Sequence, residues 1–135
     1  MWEAIRIAVE NVKNGLGGPF GAVVVKDGQI IATGTNWVTS KNDPSAHAEV
    51  EAIWHACQVL KSFQLTGCEI YTSCEPCPMC FGAIYWARPS KVFFGASRTD
   101  AAWIGFDDEF IYSEINQDHS EKTIEFEALL PIESQ

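Results

Sequence analysis

The chain has 135 residues, 47% of them hydrophobic and 20% charged, the proportions of an ordinary soluble globule with one core and no room for a second domain. Eighteen acidic against nine scattered basic residues leave a net charge of −9, which disfavours a nucleic acid polymer held through its phosphates. No apolar run approaches membrane length, and the first residues, with Glu3 and Arg6, lack the basic and apolar regions of a secretory signal, so a cytoplasmic protein with no membrane partner and one domain over 1–135 is expected.

Residues 2–14 read as a helix with Ile5, Val9 and Val12 on one stripe, ended by Gly15, Gly17 and Gly18. A strand follows from Phe20. The runs Ala22-Val23-Val24-Val25 and Gln29-Ile30-Ile31-Ala32 flank Asp27-Gly28, a pair that supplies the positive φ of a tight hairpin turn. Residues 36–45 read as a loop leading into a second helix, whose stripe Ala46, Val50, Ile53, Cys57, Leu60 has the spacing of a face packed on a sheet. A third strand is expected at 69–73 and a helix at 77–87, with Cys80, Ala83, Ile84 and Ala87 on one face and a stop before Arg88-Pro89. Residues 91–95 form a fourth strand. Beyond it, 101–105 read as a short helix or loop, 109–116 as a helical turn and 122–127 as a fifth strand. Strands joined through helices imply an α/β fold, a three-layer α/β/α arrangement around a mixed five-stranded sheet.

Chemistry concentrates in two short runs. His47-Ala48-Glu49 is followed by Pro76-Cys77-Pro78-Met79-Cys80. Zinc accepts imidazole and thiolate, and a catalytic zinc keeps three protein ligands and one position for water, which His47, Cys77 and Cys80 would provide. Glu49 is then free to move protons. Cysteines at i and i+3 share a helix side, and a helix N-terminus favours the thiolate that metals bind. Residues two apart on a helix face nearly opposite ways, so His47 and Glu49 are both expected in a first turn, where Asp43-Pro44-Ser45 offers cap residues and a proline start. Two other readings compete: Cys74 could close a structural Cys₃His site, and a redox pair at Cys77 and Cys80 would leave His47-Ala48-Glu49 unexplained. Cys57 and Cys68 read as small buried apolar residues of a reduced protein. Asn36 offers both a donor and an acceptor, suited to a purine edge or to a turn before Trp37.

The order His-x-Glu then Pro-Cys-x-x-Cys is that of the zinc-dependent nucleobase deaminases. Together with Gly17-Gly18-Pro19-Phe20-Gly21-Ala22, Asp43-Pro44-Ser45-Ala46, Thr72-Ser73-Cys74-Glu75 and Gly105-Phe106-Asp107-Asp108, it resembles the bacterial guanine deaminases of the cytidine deaminase-like superfamily over nearly the whole chain. The resemblance implies one Zn²⁺ on His47, Cys77 and Cys80, a proton shuttle at Glu49, substrate contacts from Asn36 and the backbone amide of Ala48, aromatic walls at Phe20 and Trp86, and a second acid at Asp108. Trp86 stands off the face that carries Cys80 and is expected in a pocket only where the helix end or a second subunit brings it there. Glu75 is a further candidate acid. The reaction implied is guanine plus water giving xanthine and ammonia, in a homodimer that in some members swaps C-terminal segments. Family members usually continue into a C-terminal helix over the pocket; here either the chain is a shortened form or another element closes the site. The alternatives are a deaminase of cytosine, guanosine or an aminotriazine, a tRNA-editing deaminase, and a zinc-stapled binding module.

Overall fold

Asp27 and Gly28 take positive φ values of 49° and 74°, and the turn they make joins β1 (Gly21–Lys26) to β2 (Gln29–Thr35) in the expected antiparallel hairpin. The computed structural model describes residues 1–106 and 108–129. A third strand, β3 (Cys68–Cys74), lies antiparallel to β1 on its other side, and β4 (Lys91–Ala96) runs parallel to β3. The sheet order is β2-β1-β3-β4. The parallel pair requires a crossover, supplied by a helix over Pro78–Ala87.

Helix α1 (Trp2–Lys13) covers one sheet face, while α3 (Ala48–Leu60) and the crossover helix α4 (Pro78–Ala87) cover the other; a single-turn α2 (Val38–Lys41) interrupts what the sequence presents as loop. Two further helices, α5 (Arg98–Trp103) and α6 (Glu109–Ile115), follow β4 where a helix or loop and a helical turn are expected. The main core joins Val24, Ile70 and Leu65 of the sheet side to Ala48, Ala52 and Ala56 of α3 and to Ile84 of α4. The alternation of β3 sends Cys68, Ile70, Thr72 and Cys74 into this side of the sheet.

Three expectations are corrected. The buried face of α1 is Ala4, Ile7, Ala8 and Asn11, whereas Ile5, Val9 and Val12 are partly exposed beside it. On α3 the fully buried row is Ala48, Ala52 and Ala56, flanked by the partly buried Ile53, Cys57 and Leu60. Both helices turn their smallest residues to the sheet because the backbones approach closely. A Cβ on Gly21 would stand 2.3 Å from the Ala4 carbonyl oxygen, and one on Gly34 only 2.2 Å from that of Ala48. Gly34→Ala is accordingly expected to destabilise the protein by about 1–3 kcal/mol, read as a lower denaturation midpoint at unchanged slope.

The third correction concerns the sheet, which has four strands among the described residues. Residues 122–127 alternate as a strand should, yet alternation supplies only faces, and a strand also needs a hydrogen-bonding edge. The segment is instead tied to the end of α6: Lys122 Nζ donates to the carbonyls of Glu114 and Gln117, and Thr123 N donates to Glu114 Oε2 at 2.8 Å.

Candidate active site

His47 is the N-cap of α3, with extended backbone angles of φ −76° and ψ 155°. That position answers the problem of two residues on one helix pointing apart: His47 stands outside the helix, while Glu49 is its second residue. The cap residue is thus His47 itself. Asp43-Pro44-Ser45, expected to start the helix, forms a separate turn in which Asp43 Oδ1 accepts from Ser45 N at 2.8 Å and Ser45 Oγ at 2.6 Å. Cys77 caps α4 in the same way, with Pro78 in the first helical position, where its missing N–H costs nothing, and Cys77 Sγ accepts from Cys80 N at 3.5 Å.

These two caps bring three donor atoms together. His47 Nδ1 lies 3.5 Å from Cys77 Sγ and 3.5 Å from Cys80 Sγ, and the three atoms lie within 4.8 Å of one another. Tetrahedral zinc, with bonds of about 2.3 Å to sulfur and about 2.0–2.1 Å to nitrogen, requires a sulfur–nitrogen separation of about 3.6 Å. Both nitrogen–sulfur distances therefore suit zinc. The hydrogen bond from Cys80, aided by His47, draws the Cys77 thiol down to about 4, and the same bond with burial pushes Cys80 up.

Cys74 stays out of the ligand group. Burial holds its thiol up at about 11, and Sγ donates to the Ser97 carbonyl at 3.8 Å. A closed Cys₃His site accordingly lacks its fourth ligand, and the position left for water remains. Cys74→Ala is expected to bind one zinc per chain as the parent does, measured by metal analysis of the purified protein.

Glu49 is 5% exposed. Its carboxylate accepts from Thr72 Oγ1 at 2.6 Å and from Cys80 Sγ at 3.3 Å, so it sits against the triad. Glu49, His47 and Cys77 line a cavity of about 590 Å³ together with Phe20, Asn36, Glu75 and Asp108, while Cys80 is fully buried behind it. Phe20 meets Phe106 edge to face, ring centres 4.9 Å apart, which gives the cavity an aromatic wall. Asn36 is held on every side: Oδ1 accepts from the amides of Gly18 and Val38 at 3.2 and 3.3 Å, and its carbonyl accepts from Asn11 Nδ2 at 2.9 Å. With Oδ1 committed to two backbone donors, the side-chain nitrogen is the group Asn36 can offer a ligand. Gly17 has to be glycine here, since a Cβ would come 2.0 Å from the Asn36 carbonyl oxygen.

Glu75 Oε2 accepts from Arg98 N at 3.0 Å, at the cavity rim. Asp108 is half-buried; Asp107, in the same motif, lies outside the described residues. Ala48 is fully buried in the first turn of α3, where amides have no acceptor within the helix. Trp86 is not brought to the cavity of its own chain: it is 80% exposed on α4 and does not line it. Sequence reasoning passed over Thr72 and Asn11. A hydroxyl in the inward row Cys68, Ile70, Thr72, Cys74, and an amide in the buried row Ala4, Ile7, Ala8, Asn11, are the signals that could have found them.

Residues 1–96 match the family described as the cytidine and deoxycytidylate deaminase zinc-binding region. The chain is 63% identical to guanine deaminase of Bacillus subtilis over 91% of its length and 79% of the relative's. A crystal structure of the guanine deaminase from that organism superposes with a TM-score of 0.96 at 60% identity, covering 98% of this chain and 84% of the other. The chain is also 47% identical to a tRNA-specific adenosine deaminase of Aquifex aeolicus, over 58% of its length and 52% of the relative's. A match that runs from the first residue through β4, with all three zinc-binding side chains inside it, places this chain in the cytidine and deoxycytidylate deaminase zinc-binding family.

Proposed function

We propose that residues 1–135 act as a single domain that hydrolyses guanine to xanthine and ammonia. The observation that carries this reading is the buried Glu49 carboxylate set against a three-ligand group suited to zinc, beside an aromatic-walled cavity. The substrate rests on likeness: identity to a guanine deaminase extends over most of the chain, whereas identity to a tRNA-specific deaminase is lower and covers little more than half.

His47, Cys77 and Cys80 would hold the zinc, which would supply Lewis acidity and lower the pKa of water from about 15.7 to about 7. Glu49 takes the proton of the water that adds to the ring carbon carrying the amino group, and returns it to the adjacent ring nitrogen. Asp108, at the cavity wall, gives the amino nitrogen its third hydrogen as the carbon–nitrogen bond breaks and ammonia departs, and it recovers a proton from the new hydroxyl as that becomes the xanthine carbonyl, with Glu75 as the alternative donor. The Asn36 amide nitrogen and the Ala48 N–H donate to the purine edge, and Phe20 covers one ring face. Trp86 serves as a wall from a neighbouring chain in a homodimer, to which its exposure on α4 lends support. No helix among the described residues is long and apolar enough to cross a membrane. A net charge of −9 favours a free base over a polynucleotide, and likeness to a guanine deaminase supports a cytoplasmic place of action.

The test is ammonia release from guanine, guanosine, cytosine, an aminotriazine and tRNA, each with the zinc-loaded protein. Guanine should turn over fastest. Strong turnover of guanosine with none of guanine would overturn the substrate, and steeply salt-dependent tRNA binding with inosine formation would favour the editing enzyme instead.

A further inference from the structure

Thr72 sits at the middle of β3, paired with Ala22 of β1 on one side and Phe94 of β4 on the other. It is fully buried, with Cys68, Ile70 and Cys74 as its companions on the same side of the strand. A hydroxyl in such a row is costly to bury unless it is hydrogen-bonded, and valine has nearly the same shape without that cost. What Thr72 holds is the Glu49 carboxylate: Oγ1 donates to Oε1 at 2.6 Å, a short bond of the charge-assisted kind.

Among the described residues the other donor to that carboxylate is Cys80 Sγ, 3.3 Å from Oε2. Cys80 belongs to the candidate zinc-binding triad, whereas Thr72 lies outside it and makes the shorter bond to Glu49, 2.6 Å against 3.3 Å. The Thr72 hydroxyl is thus the one of these two donors with no second task in the site. We infer that Thr72 is the positioning residue of the proton shuttle, fixing Glu49 through Oε1 and so leaving Oε2 as the oxygen that takes and returns the proton. The inference rests on the deaminase reading above. The strand makes Thr72 a rigid support, since a β-branched side chain in a four-stranded sheet has little χ1 freedom. The arrangement divides labour between the two carboxylate oxygens: one is anchored and one is free to work.

Thr72→Val keeps the shape and removes the donor; Thr72→Ser keeps the donor. With guanine as substrate, Thr72→Val should lower kcat about ten- to a hundredfold with KM within about twofold, at one zinc per chain, and Thr72→Ser should recover most of the loss. A group that merely fills space would not separate these two variants in that direction. Crystal structures of the zinc-loaded proteins should show the Glu49 carboxylate displaced in Thr72→Val and back in place in Thr72→Ser. Full kcat in Thr72→Val, equal losses in both variants, or an unmoved Glu49 in Thr72→Val each overturns the inference. Should the valine variant fail to fold, Thr72→Ala carries the same readouts. If the parent protein releases no ammonia from guanine, the substrate reading falls on its own, and Thr72 is then judged by the position of Glu49 across the variants.

Discussion

Glu49→Gln is expected to lower kcat about 10²–10⁴-fold while the protein keeps one zinc per chain and its thermal stability. The substitution preserves the length of the side chain and leaves an oxygen for the Thr72 hydroxyl 2.6 Å away, so the cavity wall stays intact. What disappears is the group that can hold a proton between its removal from water and its delivery to the ring. Losing one positioned acid–base of this kind costs about 3–5 kcal/mol of transition-state stabilisation. Since Glu49 is not one of the three metal-binding residues, metal content separates this outcome from a damaged zinc site. Unchanged turnover in Glu49→Gln would transfer the shuttle to Asp108 or Glu75.

His47→Ala should abolish turnover, by more than about 10⁴-fold, and should do so by a different route. The variant removes the only nitrogen donor of the triad, leaving Cys77 and Cys80 as a two-thiol site. Zinc measured after dialysis should fall well below one per chain. Because a ligand that binds only the folded state stabilises it by RT ln(1 + [L]/Kd), or about 2.7 kcal/mol at a hundredfold excess over Kd, the variant should also melt about 5–15 °C lower. Treating the parent protein with a chelator should reproduce the loss of both activity and stability, and added zinc should restore them in the parent alone. A variant that retains stoichiometric zinc and full stability would place the metal elsewhere.

The site was legible in the sequence to the extent that its chemistry depends on residue type and spacing. Caps and ligands coincide at His47 and Cys77, and a proline after Cys77 marks the helix start for reasons local to the chain. Glu49 follows from His47 because a cap residue and the second residue of its helix stand at one helix start. Thr72 was not legible, since nothing local tells a strand threonine that packs from one that supports a carboxylate 23 residues earlier. Helix faces went astray for a related reason. Hydrophobic periodicity weights bulky side chains, which on α1 led to Ile5, Val9 and Val12, but the contact with the sheet is made by alanines because Gly21 and Gly34 admit the helix backbones. The short α2 is tied through Ser40 Oγ to the Leu16 carbonyl at 2.8 Å, and Thr123 is tied to Glu114 of α6, contacts that the hydrophobic pattern of neither segment expresses.

The sheet order has a kinetic consequence. Hairpin β1–β2 can close on its own, but β3 must add to the far side of β1 before β4 has a neighbour. Cys77 and Cys80 travel with the end of β3, whereas His47 travels with the start of α3, which packs on β2. The third donor thus reaches the other two only after a long loop has been closed, a slow step for any chain. Full zinc coordination should consequently be among the last events of refolding, and a cobalt-substituted protein, whose colour reports tetrahedral ligation, should develop its absorbance after its secondary structure has already returned.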